Sequence, residues 1–169
     1  MAQAISRTLD KAMVLAALIA QVEAEVSNAT QNAATTSKGV THSESRQEND
    51  KDTRAIEASY LARGQALRVE ELAEVATRLR QLVPRPFGPD DAVGLGALVE
   101  VALDGEDAHR WYLLVPVGGG RAVTVDGFTV RAVSSAAPVG YALVGKAEGD
   151  DATVKVPGGT VLFEVVTVS

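Results

Sequence analysis

The chain contains no cysteine, which excludes disulfides, thiolate catalysis and cysteine-based zinc sites. Its two histidines, His42 and His109, lie far apart in sequence, so a histidine-rich metal site is not expected. Aromatic residues make up 4% of the 169 positions against 46% hydrophobic, so any core must rest on Val, Leu and Ala. A basic excess is missing too. The formal charge is −6, which argues against autonomous nucleic-acid binding, because such binders present a basic face. Residues 1–84 carry ten Lys/Arg against eleven Asp/Glu, and residues 85–169 carry six against eleven. The acidity therefore sits in the C-terminal half, whose partner is expected to be a protein. Long hydrophobic runs are absent as well: Met13–Ala20 is too short to span a bilayer. Asp10 precedes that run and Gln21, Glu23 and Glu25 follow it with no convincing cleavage site, so a cytoplasmic protein with no membrane partner is expected.

What is present falls into two patterns. Ala4–Ala34 has neither Gly nor Pro, and Ile5, Leu9, Ala12, Ala16, Ile19 and Val26 recur at helical spacing. Ser6 or Thr8 is available to cap the start. A second helix is expected from Thr53 to Leu82, with Ile56, Tyr60, Leu72, Val75, Leu79 and Leu82 on its buried side, and Pro84 and Pro86 end it. Neither helix can hide its stripe alone, so the two should pair as an antiparallel hairpin over residues 1–83, its tip near 35–53. Thirty-odd residues per arm correspond to about 45 Å at about 1.5 Å per residue. Gly64 weakens the second arm by about 1 kcal/mol relative to Ala; close approach of the facing helix is its expected reason. The extra apolar width at Met13, Val14, Leu15 and Leu18 is free to pack on the C-terminal domain or on a second copy.

Beyond Pro84 the period shortens. Leu98–Leu103, Trp111–Val117, Ala122–Val125 and Phe128–Val133 are β-rich runs punctuated by Asp-Gly and Gly-Gly-Gly turns. Val154 and Val156 enter, and Val161, Phe163 and Val165 leave, a hairpin turn at Pro157-Gly158-Gly159. Ala137–Lys146 can form a short helix after Pro138. The fold class is α+β: a two-helix coiled coil, then residues 84–169 as a small, mostly antiparallel β domain.

Within that domain, Ala137-Pro138-Val139-Gly140-Tyr141-Ala142-Leu143-Val144-Gly145-Lys146 resembles the signature segment of the Gre family of transcription elongation factors. The similarity continues through Glu148-Gly149-Asp150-Asp151, Val154, Val156-Pro157-Gly158-Gly159 and Phe163-Glu164-Val165, and earlier at Gly96-Ala97-Leu98-Val99. The resemblance implies an FKBP-like C-terminal domain that docks at the rim of the secondary channel of bacterial RNA polymerase. It also implies a coiled coil inserted toward the active centre, near the nascent RNA 3′ end. Docking residues of the family lie in the loop before the proline, here Ser134, Ser135 and Pro138; Ala137 replaces the family's serine.

The family's tip segment, Gly-Asp-Leu-Ser-Glu-Asn-Ala-Glu-Tyr, supplies two carboxylates that help the polymerase hold a second magnesium ion. Here the tip reads Glu44-Ser45-Arg46-Gln47-Glu48-Asn49-Asp50-Lys51-Asp52-Thr53-Arg54. Asp50 and Asp52, helped by Glu48, meet the chemical requirement for hard oxygen donors, although they stand two residues apart where the family's acids stand three. Their bland alternative is an N-cap and a favourable first-turn charge on the following helix. No cofactor of its own is expected, only a share in the Mg²⁺ of the polymerase, which performs the hydrolysis itself. Two alternatives stand beside cleavage stimulation: a channel binder that regulates without cleavage, and a peptidyl-prolyl isomerase or holdase, which fold alone does not establish. Gly118-Gly119-Gly120-Arg121 lacks the Lys-Ser/Thr of a phosphate loop and reads as a plain loop. Trp111 and Tyr112 should face opposite sides of a strand, one in the core and one partly exposed. His109 has no evident partner, and Lys146 suits the end of the short helix.

Overall fold

The computed structural model describes residues 9–43, 51–104 and 108–169. Two helices, α1 (Lys11–Ser43) and α2 (Lys51–Arg80), precede strands β1 (Leu98–Leu103), β2 (His109–Leu114), β3 (Ala122–Val125) and β4 (Phe128–Val133). A short helix α3 (Pro138–Leu143) and strands β5 (Asp151–Val156) and β6 (Gly159–Val168) complete the chain. Two compact units result: residues through Ile19 with Arg78–Ser169, and Ala20–Thr77. The division falls inside both helices.

Asp10 caps α1; Ser6 and Thr8, the expected caps, lie outside the described residues. Asp10 Oδ1 accepts from the Ala12 N–H at 2.8 Å and its carbonyl accepts from the Val14 N–H at 3.1 Å, satisfying donors that a helix start leaves open. The helix also continues nine residues past Ala34, through a polar run expected to be loop. Hydroxyls of Thr30, Thr35 and Thr36 bond back to carbonyls four residues earlier, at 2.8, 3.0 and 3.0 Å, so these threonines are satisfied within the helix. By length and composition alone, Lys11–Thr36 could cross a membrane. Eight of its fifteen apolar residues are alanine, and Glu23 and Glu25 sit midway, each carboxylate costing about 3 kcal/mol at a bilayer centre.

In the Ala20–Thr77 unit, Val22, Leu72 and Ala76 are buried. Lines of half-buried residues continue from them: Glu25, Ala29, Ala33 and Thr36 on α1, and Ala58, Ala62, Gln65 and Val69 on α2. Steps of three and four mark one face of each helix turned toward the other. The seam is thus built from small residues, and the expected buried side of α2 is corrected in part. Ile56 and Tyr60 are 55% and 72% exposed, while Leu72 and Leu79 are buried as expected. On α1, Ala12 and Ala16 are exposed, whereas Val14, Leu15 and Leu18 are buried in the unit they share with the sheet. Close approach does not explain Gly64: a Cβ there would meet nothing within 4 Å.

The sheet has the order β3-β4-β2-β1-β6-β5. Neighbours are antiparallel except β2 and β4, which run parallel, so the sheet is mixed. The β3–β4 hairpin turns on Asp126 (φ 51) and Gly127 (φ 84), the two positive φ values of a type I′ turn that glycine and aspartate tolerate. One sheet face carries the main core, in which Val99, Val101, Tyr112, Leu114, Phe163 and Val165 meet Phe87, Val93 and Leu143. The opposite face is buried too, at Leu98, Trp111, Leu113 and Val130. Trp111 and Tyr112 do point to opposite sides, yet both are buried, because both sides are covered. Between Glu100 and Val101 the β1–β6 register shifts, leaving Val166 as a bulged residue.

Candidate functional site

The segment that resembles the Gre signature forms one braced corner. β4 ends at Val133, and its carbonyl accepts from the Val115 N–H at 2.9 Å. The next four residues turn back on themselves, the Ala137 N–H donating to the Ser134 carbonyl at 3.0 Å. Pro138 then opens α3, where its missing N–H costs nothing.

Two glycines press on this turn from either side. A Cβ on Gly140 would lie 2.0 Å from the Ser134 oxygen, 2.8 Å from its carbonyl carbon and 3.3 Å from Ser135 Cα. A Cβ on Gly119 would lie 3.1 Å from the Ser134 nitrogen. The Ser134–Ser135 peptide is therefore closed in from the α3 side, and the Val133–Ser134 peptide just before it from the Gly118–Arg121 loop. That loop holds its own shape: Gly120 N–H donates to the Ala132 carbonyl at 2.8 Å and Arg121 Nη1 to the Gly118 carbonyl at 3.2 Å. It is a brace rather than a phosphate cradle.

Past α3 the chain is pinned again. The Val93 N–H donates to the Lys146 carbonyl at 2.7 Å, and the Gly145 N–H to the Val93 carbonyl at 2.9 Å. The acids that follow are structural. Asp150 Oδ2 accepts from the Ala147 N–H at 2.8 Å, and Glu148 Oε1 from the Val168 N–H at 2.9 Å. Lys146 lies three residues beyond the helix, not in its last turn.

What the brace presents outward is Ser135, Pro138 and Tyr141, with Ser134 half-buried. Tyr141 is 81% exposed and Val144 44%. A groove of about 590 Å³ runs beside them, lined by Ser135, Tyr141, Val144, Lys146, Asp151 and Thr153 among others. Ser134, Ser135 and Pro138 are thus brought together at one corner. Tyr141 and Val144, which sequence reasoning did not assign to docking, extend it.

The tip candidates are placed differently. Glu48 and Asp50 lie outside the described residues, and Asp52 falls in the first turn of α2. Among the described residues, no three His, Asp or Glu side chains gather as a metal site. His109 does have a partner: its Nδ1 stands 2.7 Å from Glu100 Oε1, and Thr167 Oγ1 donates to the other oxygen at 3.2 Å. This trio ties β2, β1 and β6 together and takes no part in the corner.

Comparison with known proteins bears on the same region. Residues 88–169 match the model of the C-terminal domain of transcription elongation factors GreA and GreB. Transcription elongation factor GreA of Streptococcus pneumoniae serotype 4 is 31% identical over 100 residues, covering 58% of this chain and 59% of that protein. GreA of Roseiflexus sp. strain RS-1 is 30% identical over 101 residues, covering 60% of each. The matches thus span about three-fifths of these relatives. A solved structure, GreA factor homolog 1 of Thermus thermophilus, aligns over 89% of this chain and 94% of its own. At 22% identity and a TM-score of 0.37, that likeness does not bear on function.

Proposed function

We propose, because residues 88–169 match the C-terminal domain model of transcription elongation factors GreA and GreB, that the protein docks on bacterial RNA polymerase and stimulates cleavage of backtracked RNA. The observation that carries this reading is the braced corner, where Gly119 and Gly140 close in on the two successive peptides either side of Ser134 and leave Ser135, Pro138 and Tyr141 outward. A preformed loop loses little freedom on binding, which favours a specific protein contact.

In this reading the helical hairpin enters the secondary channel and offers Asp50 and Asp52, with Glu48, at the polymerase active centre. Carboxylate oxygens are the donors magnesium prefers, so these residues fit a shared ion by type. When bound, that ion neutralises charge on the phosphate being cleaved. The chain itself is an auxiliary factor, and the hydrolytic machinery belongs to the polymerase.

The test is transcript cleavage by stalled elongation complexes with purified protein added. Stimulation that disappears in Asp50→Ala/Asp52→Ala, with binding retained, supports the proposal. Binding without any stimulation by the wild-type chain points to the second reading, a channel regulator; the departure of the tip from the family's motif favours keeping it. The isomerase reading has less behind it. Tyr112 and Phe163 pack in the main core 6.2 Å apart, while Trp111 and Phe128 meet at 6.0 Å, Trp111 on the other sheet face. Those aromatics are committed to packing, and where Trp111, Tyr112 and Phe128 border a groove they share its lining with His109, Arg110 and Arg131 rather than forming an aromatic cage.

A further inference from the structure

We propose that the face of α2 opposite the hairpin seam is a self-complementary contact through which two copies of this chain associate. This inference is independent of the polymerase reading. Ile56, Tyr60, Arg63, Leu67, Glu71 and Glu74 follow one another at steps of four and three, and so share one stripe of the helix. It lies about half a turn from the half-buried line of Ala58, Ala62, Gln65 and Val69. All six residues are exposed. The apolar ones stand well clear of their own chain: Ile56 is 55% exposed, Tyr60 72% and Leu67 51%. A groove of about 480 Å³ opens along the start of the stripe, lined by Ala55, Ile56, Ser59, Tyr60 and Arg63.

The order of residues along the stripe decides the occupant. Its early half is apolar and basic, and its late half is acidic. A copy laid antiparallel about Leu67 pairs positions equally far from that residue. Leu67 then meets Leu67 on the axis. Arg63 meets Glu71 on both sides, and Tyr60 meets Glu74 on both sides. A two-fold contact requires this self-complementarity, because each patch must recognise itself reversed. Among the described residues Glu71 pairs with exposed Arg68 of its own helix, at 3.5 Å, a kind of pair that holds a carboxylate weakly.

From Tyr60 to Glu74 the contact spans about 21 Å of helix. It is smaller than a permanent interface, which buries about 1,200 Å² or more, so the dimer is transient and concentration-dependent.

Sedimentation equilibrium of the full chain, from about 1 µM to about 1 mM, reads the outcome directly. The mass is expected to rise toward two chains. Leu67→Asp should weaken association at least about tenfold, since two carboxylates would meet on the axis. Arg63→Glu and Glu71→Arg should each weaken it about fivefold, through two symmetric pairs. The double variant Arg63→Glu/Glu71→Arg should return to within about threefold of wild type. That rescue separates the contact from a general effect on the helix, which far-UV circular dichroism checks. A wild-type chain that stays monomeric throughout overturns the proposal, as does a double variant weaker than either single. If Leu67→Asp instead lowers binding to polymerase while the chain remains monomeric, the face belongs to that partner and the self-contact is refuted.

Discussion

Replacing Gly140 by alanine adds one methyl group at the most confined glycine of the β domain. The new carbon would sit 2.0 Å from the Ser134 carbonyl oxygen and 2.8 Å from its carbon. Ordinary contact needs about 3.4 Å or more, so the pair must separate by over about 1 Å. Neither obstructing atom is on a rotatable side chain. The Ser134 carbonyl also accepts from the Ala137 N–H, so moving it disturbs the turn as well. Overpacking of this kind costs about 3 kcal/mol. Alanine returns about 1 kcal/mol through its better helix propensity. The net loss is about 2 kcal/mol, or roughly 8–16 °C in melting temperature for a domain of this size. Thermal unfolding followed by circular dichroism measures the loss, and capture by immobilised RNA polymerase measures docking. Tyr141→Ala, on the exposed side of the same helix, serves as the control: docking should weaken with little change in melting. A Gly140→Ala protein that melts within about 1 °C of wild type and binds polymerase equally well would refute the claim that this glycine braces the corner.

Three further substitutions probe the helices. Gly64→Ala should stabilise the chain by about 1 kcal/mol in urea titrations, because the added methyl meets nothing; an unchanged midpoint contradicts this. Gln65→Leu should stabilise by about 1–2 kcal/mol, since the buried Gln65 Oε1 has no hydrogen-bond partner among the described residues; a loss of stability would mean that the amide is satisfied. Lys11 donates from Nζ to the Arg85 carbonyl and lies 4.7 Å from the centre of the Phe87 ring. Burial, and then the nearby Arg85 charge, lower its pKa from 10.5. Between the lowered value and 10.5 the unfolded chain binds more protons, so this group adds stability as pH rises through that window. The difference between wild type and Lys11→Met should shift in favour of wild type from neutral pH toward 10.5; a shift the other way reverses the argument.

Much of the β domain can be read from sequence because its signals are local. The β-rich run Leu98–Leu103, the Asp126-Gly127 turn and the Pro157-Gly158 turn each specify geometry within a few residues. The helices were harder. Ile56 and Tyr60 look like core by hydrophobicity, yet the seam uses Ala58, Ala62 and Gln65, since small side chains suffice there. The polar end of α1 looked like loop because the back-bonding of Thr35 and Thr36 is invisible to composition. Partners set by register were also hidden: His109 finds Glu100 only once β1 and β2 are aligned. At the candidate corner, Pro138 and the two serines were legible by resemblance, whereas the bracing by Gly119 comes from a loop fifteen residues upstream.

The register shift at the end of β6 means that the last strand is one valine longer than the ladder it occupies. Phe163, Val165 and Val168 all reach the main core, although strict alternation would send Val168 the other way. Because Val165 and Val166 are adjacent and identical, a chain lacking either one would read Phe-Glu-Val-Thr-Val. Every remaining side chain would keep its present side, Thr167 would still reach Glu100, and the closing pair of bonds between Leu98 and Ser169, both 2.9 Å, would stay in phase. At this edge of the domain, the number of residues carries as much information as their kind.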